Sequence, residues 1–186
     1  MENKDEPRSV SFSQTTITEL MIPSYANFGG KIHGGILLSL MDKVAYATAS
    51  KHAGAYCVTV SVDNVDFLQP VDVGELVSMK ASVNYVGNSS LVIGIKVVSE
   101  NVKTHRVKHT NTCYFTMVAK DENDKPTTVP ALILENKTDL RRFLEAINRR
   151  KHKKAYESKL KEIKKEWSKE EMAEMLENER CINKTT

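Results

Sequence analysis

The sequence predicts an α+β fold in which a curved antiparallel sheet wraps around one long central helix, with a helical extension at the carboxyl end. The helix is predicted from Gly34 to about Lys51, where the residues are apolar nearly all round, as in helices buried on most sides. One strand-like run precedes this helix and four follow it. A curved sheet can bury most of such a helix, and a second subunit can cover the remaining face.

The predicted strands contain apolar residues in alternating positions and end at turn residues. They are residues 13–22, 57–67, 76–86, 91–98 and 106–119. Pro23 ends the first strand, because proline cannot donate a ladder hydrogen bond. Gly54 marks the end of the central helix, and the run Gly87, Asn88, Ser89, Ser90 predicts a hairpin connection between two later strands.

Three segments are predicted along the chain: a charged tail at residues 1–12, one domain at 13–135 and a basic helical extension at 136–186. In the extension, Asn136 is a candidate N-cap, and Ser168 with Glu171 matches a capping box that starts a short last helix. Two apolar stripes recur at helical spacing between these caps. They are Leu140, Phe143, Leu144 and Ile147, and Tyr156, Leu160, Ile163 and Trp167.

Composition points to a cytoplasmic protein. The amino-terminal residues are largely charged with no apolar run behind them, so no signal peptide is expected. No stretch approaches the ~20 apolar residues that a membrane span needs. Cys57, Cys113 and Cys181 lie far apart without metal-site spacing, so no metal site is expected. Their odd number, with two of them in strand-like apolar runs, is typical of reduced core thiols.

The positive charge is concentrated in the extension. Residues 137–169 hold 13 Lys and Arg against 5 Asp and Glu, whereas the whole chain has a net charge of only +3. Such a segment can bind nucleic acid, a membrane surface or the phosphates of a ligand, but more often it is a solvated helix face. Nucleic acid is not an expected partner, because no aromatic interleaving or nucleic-acid motif accompanies the charge.

Asp42 is the first candidate site residue, since it is a carboxylate within the apolar helix. At 100° per residue it shares a face with mostly small residues, which leave room for a ligand. These neighbours are Gly35, Leu38, Ser39, Ala45, Tyr46 and Ala49. An unpaired buried acid is unfavourable, so Asp42 either bonds to backbone or to Tyr46, or has a chemical role.

The start of the helix supplies further candidates. Amides of Gly34 and Gly35 lack intrahelical partners and lie at the positive end of the helix dipole, which suits a polarised carbonyl. His33 can act as a general base or satisfy backbone groups at the helix start. The Asn27 amide can orient water or donate to a carbonyl, or it can close an Asx-turn in the loop 24–30.

Helix geometry separates these candidates within one chain. Gly35 and Asp42 are seven residues apart, about 10 Å along the axis, whereas a reacting carbonyl needs its donors and its base each within roughly 3 Å. Two antiparallel copies would place each glycine turn beside the other copy's Asp42. The sequence therefore predicts a dimer with two shared sites.

Several motifs that occur together carry a family resemblance. They are Asn27-x-x-Gly30-x-x-His33-Gly34-Gly35, Met41-Asp42, residues 66–70 (DFLQP) with Gly74-Glu75, 86–90 (VGNSS), 109–111 (HTN), 114–119 (YFTMVA) and Val129-Pro130. With them, residues of about 13–135 resemble the hotdog-fold acyl-CoA thioesterases, in the branch of small bacterial and brain-type cytosolic acyl-CoA hydrolases. The resemblance implies a hotdog fold and hydrolysis of fatty acyl-CoA to free fatty acid and CoA, without a metal or redox cofactor.

The resemblance also implies roles for individual residues. Asp42 would be the general base or nucleophile, Asn27 would act across the dimer interface, and the Gly34 and Gly35 amides would polarise the thioester carbonyl. Hotdog dimers of this family commonly assemble as trimers of dimers. The turn Gly87, Asn88, Ser89, Ser90 would contact CoA, although Asn88 stands where the family often has an arginine.

Two further expectations concern partners and alternatives. From their charge and position, Arg141 and Arg142 are expected to hold the anionic CoA nucleotide. A hotdog dehydratase acting on hydroxyacyl thioesters would use a His and acid pair, but His33 and Asp42 are nine residues apart and so distant on one subunit. A non-catalytic acyl-CoA-binding regulator is a third hypothesis, and the presence of both Asn27 and Asp42 argues against it.

Overall fold

The computed structural model describes residues 6–163, 167–177 and 179–184, and it confirms the predicted fold class. Five strands form one antiparallel sheet: β2 (Thr15–Leu20), β3 (Tyr56–Val62), β4 (Leu76–Val86), β5 (Ser90–Asn101) and β6 (Arg106–Lys120). Their order in the sheet is β2-β4-β5-β6-β3, so that β2 and β3 are its edges. The central helix α2 (Gly34–Ala53) packs against the sheet.

Alternation along the three central strands builds the core. Val83 on β4, Ile93 on β5 and Phe115 on β6 are register partners, and all three are buried. Over residues 76–83, 91–97 and 111–120 of these strands, odd-numbered residues face α2 and even-numbered residues face the other side of the sheet, because successive strand side chains point to opposite faces. Register shifts after Val83 and Val97 interrupt this alternation beyond those ranges. The buried thiols Cys57 and Cys113 belong to this core, and burial raises the pKa of the Cys113 thiol to about 12.

The predicted ends of α2 are close to those observed. The helix extends to Ala53, two residues beyond the prediction, and Gly54 ends it in the left-handed conformation at φ 63°. Nine of the 20 residues of the helix are buried, on the side that packs against the sheet. They are Leu37, Leu40, Met41, Val44, Ala45, Thr48, Ala49, His52 and Ala53.

One face of α2 is exposed in the single chain, and this corrects the expectation that Asp42 is buried. Gly35, Ser39, Asp42 and Tyr46 form the exposed stripe. Residues spaced by three and four positions share a helix face, so the stripe follows directly from the helix period. Asp42 accepts a hydrogen bond from Thr59, and not from a backbone group or Tyr46, which were the two partners expected from the sequence.

Two predicted strands were too long. The first begins at Thr15, because residues before it form the short helix α1 (Val10–Ser13), whose N-cap Ser9 accepts a hydrogen bond from the Phe12 amide. A short parallel ladder of β1 (Arg8–Ser9) with β7 (Leu132–Ile133) precedes it. The ladder between β3 and β6 ends at Val62, and residues 63–67 lie outside the strand, although the Asp63 amide still bonds to the Tyr114 carbonyl at 2.9 Å. Residues 1–5 of the predicted tail lie outside the described residues.

The chain divides into two compact units, residues 1–147 and 148–186. Helix α3 (Lys137–Ile163) begins where Asn136 accepts hydrogen bonds from the Thr138 and Asp139 amides at 3.0 Å, which confirms the predicted cap. Within the first unit, the Phe143 ring contacts Tyr85 at a centroid distance of 5.2 Å.

The second unit contains the predicted short last helix, α4 (Lys169–Leu176). Its capping box is present as predicted, since Ser168 and Glu171 exchange side-chain and backbone hydrogen bonds. The side chain of Ile163, a member of the second apolar stripe, lies outside the described residues. None of the helices in the described part of the chain combines the length and apolarity that a membrane crossing requires.

Candidate active site

Asp42 is paired with a threonine on the neighbouring edge strand. The Thr59 hydroxyl donates to Asp42 Oδ1 at 2.6 Å, and Thr59 Oγ1 lies 3.1 Å from Met117 Sδ. The register between β3 and β6 shifts between Thr59 and Ser61, which marks an irregularity at Val60. Such bulges redirect neighbouring side chains, and here the threonine next to the bulge meets the helix carboxylate.

An open cleft of about 360 Å³ lies over this pair. Its walls come from α2, the edge strand β3 and one residue of β6, and it is lined by Asp42, Lys43, Tyr46, Tyr56, Cys57, Val58, Thr59 and Met117. The Tyr46 and Tyr56 rings are tilted against each other with centroids 6.0 Å apart. One bonded carboxylate oxygen and a largely apolar wall therefore face solvent at the free edge of the sheet.

His33 is the N-cap of α2. Its Nδ1 accepts a hydrogen bond from the Gly35 amide at 2.9 Å, so the imidazole satisfies backbone at the helix start, as one of the two alternatives for His33 expects. The Gly34 amide, at the first helical position, has no intrahelical acceptor. The Phe67 ring packs over this glycine, so closely that a Cβ at this position would lie 3.4 Å from the ring edge.

Asn27 lies at the base of an exposed hairpin loop that precedes α2. Its Oδ1 accepts hydrogen bonds from the Gly29 amide at 2.9 Å and the Lys31 amide at 3.2 Å, which is the Asx-turn alternative for this residue. Because the side-chain oxygen is used within the loop, the Nδ2 amino group is the part of Asn27 that is left to meet a substrate.

The structure does not bring all predicted site residues together within one chain. Since α2 is continuous, Gly35 and Asp42 are separated by about 10 Å along its axis. Among the described residues no hydrogen bond joins Asn27 to Asp42. The helix start, the Asn27 loop and the Asp42 cleft are therefore separate parts of the single chain.

The residues expected to contact CoA lie in two other places. The turn at residues 87–90 is the β4–β5 hairpin, closed by the Gly87 amide bonding to the Ser90 carbonyl at 2.7 Å. Arg142 Nη1 donates to Ser82 Oγ at 3.4 Å, on the sheet face opposite α2, and Arg141 pairs with Glu145 at 2.6 Å. Neither arginine shares a sheet face with the Asp42 cleft of its own chain.

Thr59 is the site residue that sequence reasoning missed. Val58, Val60 and Val62 predict an alternating strand, and Thr59 and Ser61 occupy the intervening positions. A hydroxyl in an apolar strand after the acid-bearing helix is a usable signal, but only the bulge and the pairing of β3 show which residue meets Asp42.

Comparisons with known proteins decide the family. A family model described as the thioesterase superfamily matches residues 29–104. The Helicobacter pylori protein VdlD is 48% identical over 131 residues, which are 70% of this chain and 75% of that protein. YkhA of Bacillus subtilis, named as an uncharacterized acyl-CoA thioester hydrolase, is 32% identical over 157 residues, 81% of this chain and 91% of that protein. The chain belongs to the hotdog-fold acyl-CoA thioesterases.

Solved structures place this thioesterase among acyl-CoA hydrolases. The Staphylococcus aureus enzyme, described in complex with butyryl-CoA and CoA, is 31% identical, with a TM-score of 0.76 over 84% of this chain and 95% of that chain. A structure described as a hexameric acyl-CoA thioesterase is 33% identical, with a TM-score of 0.79 over 81% of this chain and 97% of that chain.

Three further structures of the Staphylococcus aureus enzyme carry alanine in place of an asparagine, an aspartate and a threonine. The aspartate follows the asparagine by 15 positions, and the threonine follows the aspartate by 17. Asn27, Asp42 and Thr59 of this thioesterase have the same spacing.

Proposed function

We propose that this thioesterase hydrolyses fatty acyl-CoA to a free fatty acid and CoA, at sites that two subunits share. The observation that carries the proposal is the Thr59–Asp42 hydrogen bond at 2.6 Å, in a cleft at the free edge of the sheet. The spacing of Asn27, Asp42 and Thr59 supports it, because three variants of a related hydrolase change residues at the same spacing.

The Asp42 carboxylate performs the chemistry by one of two routes. As a general base it takes a proton from water, and the resulting hydroxide forms a bond to the thioester carbonyl carbon. As a nucleophile it forms a mixed anhydride, which water then hydrolyses. In both routes the carbon–sulfur bond breaks and the thiolate of CoA leaves and takes up a proton. Thr59 holds Oδ1, so Oδ2 is the oxygen that acts.

The donors for the carbonyl oxygen come from the second subunit. The Gly34 amide and the side-chain NH2 group of Asn27 suit the developing oxyanion. In their own chain, however, Gly34 lies about 12 Å from Asp42 along the helix axis, and Asn27 lies in the loop before that helix. Pairing two β3 edges antiparallel would set the two α2 helices antiparallel as well. Each Asp42 would then face the other chain's helix start.

The exposed surface around β3 supports this assembly. Large apolar side chains are exposed on the edge strand, on α2 and on the loops near the helix start, although such residues are usually buried. They are Phe28, Tyr46, Tyr56, Val60, Val62, Phe67 and Leu68. An unpaired strand edge is also a template for a second copy. A trimer of such dimers is the larger assembly that the hexameric relative supports.

The CoA portion of the substrate would contact the turn at residues 87–90 and the basic pair Arg141 and Arg142. The turn is anchored, since the Asn88 and Ser89 carbonyls accept hydrogen bonds from the Val129 and Ala119 amides at 2.9 Å. Because the arginines lie on the sheet face away from α2, they would serve a site that includes another subunit. The cytoplasmic location expected from the sequence stays a prediction.

A mixed-subunit experiment tests the shared site. Asp42→Ala alone should lose about 10²- to 10⁴-fold in turnover, the usual contribution of a general base, measured as thiol release from acyl-CoAs of graded chain length. Asn27→Ala alone should also be impaired. Refolding the two inactive variants together should restore activity, because one site of each mixed dimer then contains Asn27 and Asp42. Near-full turnover by Asp42→Ala contradicts the role of Asp42, and absence of recovery in the mixture contradicts the shared site.

A further inference from the structure

Four charged residues of alternating sign form a chain at the end of the sheet nearest the Asn27 loop. Lys31 Nζ lies 2.5 Å from Asp72 Oδ1, Asp72 Oδ2 lies 3.6 Å from Lys108 Nζ, and Lys108 Nζ lies 3.0 Å from Glu75 Oε1. The exposed fraction of the side chains falls along this chain of charges, from 50% at Lys31 to 6% at Glu75. The chain of charges therefore runs from a surface loop into the protein.

Glu75 holds the inner end of this chain of charges in place through several partners. Its Oε2 accepts from the Ser99 hydroxyl at 2.5 Å and from the Asp72 amide at 3.0 Å, while Oε1 meets Lys108. Burial would raise the pKa of the Glu75 carboxyl, but these three hydrogen bonds outweigh it and lower the pKa below its usual value. Glu75 is therefore an ionised group with partners on both carboxylate oxygens, and it fixes both Asp72 and Lys108.

The outer end of this chain of charges, Lys31, is joined to Asn27 through the Lys31 backbone. The Lys31 amide donates to Asn27 Oδ1 at 3.2 Å, and the Asn27 amide donates to the Lys31 carbonyl at 2.7 Å. The next residue, Ile32, donates its amide to the Val71 carbonyl at 2.9 Å, so the loop is also paired with the segment that carries Asp72. Any shift of Lys31 must therefore move the Asn27 side chain.

We propose that Lys31, Asp72 and Lys108, anchored on Glu75, form an electrostatic clamp that positions Asn27 for the reaction. The inference rests on the proposed function, because it takes Asn27 to act in that reaction. The clamp residues themselves are assigned no contact with the substrate. The Asn27 amino group acts on a reacting atom only from a narrow range of positions, and a displacement of about 1 Å can lower a rate considerably. The clamp supplies that precision to a loop whose tip, Phe28, is fully exposed.

Removing charge at the outer link tests the clamp. The variants are Lys31→Met, Asp72→Asn and the double variant, with Lys31→Arg as the conservative replacement. Lys120→Met is the matched control, because it also removes an ion pair, the one between Lys120 at the end of β6 and Asp124 at 2.9 Å. Both residues lie far along the sequence from Asn27. Two readouts are needed: kcat and KM for thiol release, and amide hydrogen exchange at Asn27 and Ile32.

The clamp predicts a distinct pattern. Lys31→Met and Asp72→Asn should each lower kcat by about 5-fold and speed exchange of the Ile32 amide by a similar factor, as expected when a partly exposed ion pair is lost. KM should change by less than about 2-fold, since uniform substrate binding is not involved. The double variant should match the single variants, and Lys31→Arg and Lys120→Met should behave as the wild type.

Two different failures can be told apart. If the wild type releases thiol but the clamp variants exchange and turn over like Lys120→Met, the clamp is wrong and the proposed function stands. If the wild type releases no thiol, the proposed function is wrong, and the exchange data alone decide whether the charges hold the loop. An increase in KM with unchanged kcat also contradicts a positioning role.

Discussion

Replacing Thr59 by valine tests how the acid of the site is held. Valine keeps the size and branching of threonine but removes the hydroxyl that donates to Asp42 Oδ1 at 2.6 Å. A hydrogen bond to a charged group contributes about 1.5–3 kcal/mol, which corresponds to roughly 10- to 100-fold in rate if it serves the transition state. In the proposed dimer the second subunit would exclude the water that could replace the lost donor, so we expect a loss of about 10- to 100-fold in kcat/KM.

The assay is thiol release at several acyl-CoA concentrations, so that kcat and KM are separated. Thr59→Ser restores the hydroxyl and should recover activity to within about 3-fold of the wild type, since only a methyl group is lost. Thr18→Val is the matched control, because Thr18 shares a hydrogen bond with Ser78 at 2.9 Å on the opposite edge of the sheet. If Thr59→Val keeps full activity, or if Thr18→Val is equally impaired, the hydroxyl has no specific role in orienting Asp42.

Three further predictions concern the rest of the protein. Burial lowers the pKa of the His52 imidazole below 6.5, so the unfolded chain takes up a proton before the folded one does as pH falls. The free energy of unfolding should therefore fall as pH drops below about 6.5. In urea titrations, His52→Gln should lack this dependence of the unfolding free energy on pH. That variant should also be less stable at neutral pH by about 1–3 kcal/mol, since it disrupts bonds to Ser13 and the Pro130 carbonyl. Gly54→Ala should lower stability by about 1 kcal/mol in the same titrations, because alanine is strained at φ 63°. Arg142→Met should raise KM for acyl-CoA with kcat unchanged, and an unchanged KM would remove Arg142 from CoA binding.

The fold could be predicted because its local signals agree with one another. The strand over Leu76–Val86 has the predicted bounds, since its apolar alternation is uninterrupted and a glycine turn follows it. Residues 63–67 were predicted as strand for the same reason, and this was wrong. Alternation specifies which face a residue prefers but not where a ladder with the neighbouring strand ends, and the ladder between β3 and β6 ends at Val62.

The site was predicted in part. The residue types and the helix rise sufficed to single out Asp42 and to separate it from Gly35, because both follow from a regular period. The exposure of Asp42 was missed, since an apolar sequence on most sides of a helix does not show which element covers the last side. Thr59 was missed because its contact joins residues 17 positions apart across two elements, and a bulge decides which residue makes it.

The exposure of Asp42 has a chemical consequence for the proposed dimer. In the single chain, water competes for the carboxylate and screens the amides at the helix start, so neither group is strongly organised for reaction. A second subunit seated on the apolar surface around β3 would remove that water from both groups in one step. The same contact that completes the donor set would therefore strengthen each of its electrostatic interactions. On the amino-terminal side of Asp42, the small side chains of Gly35 and Ser39 would allow the close approach that this contact requires.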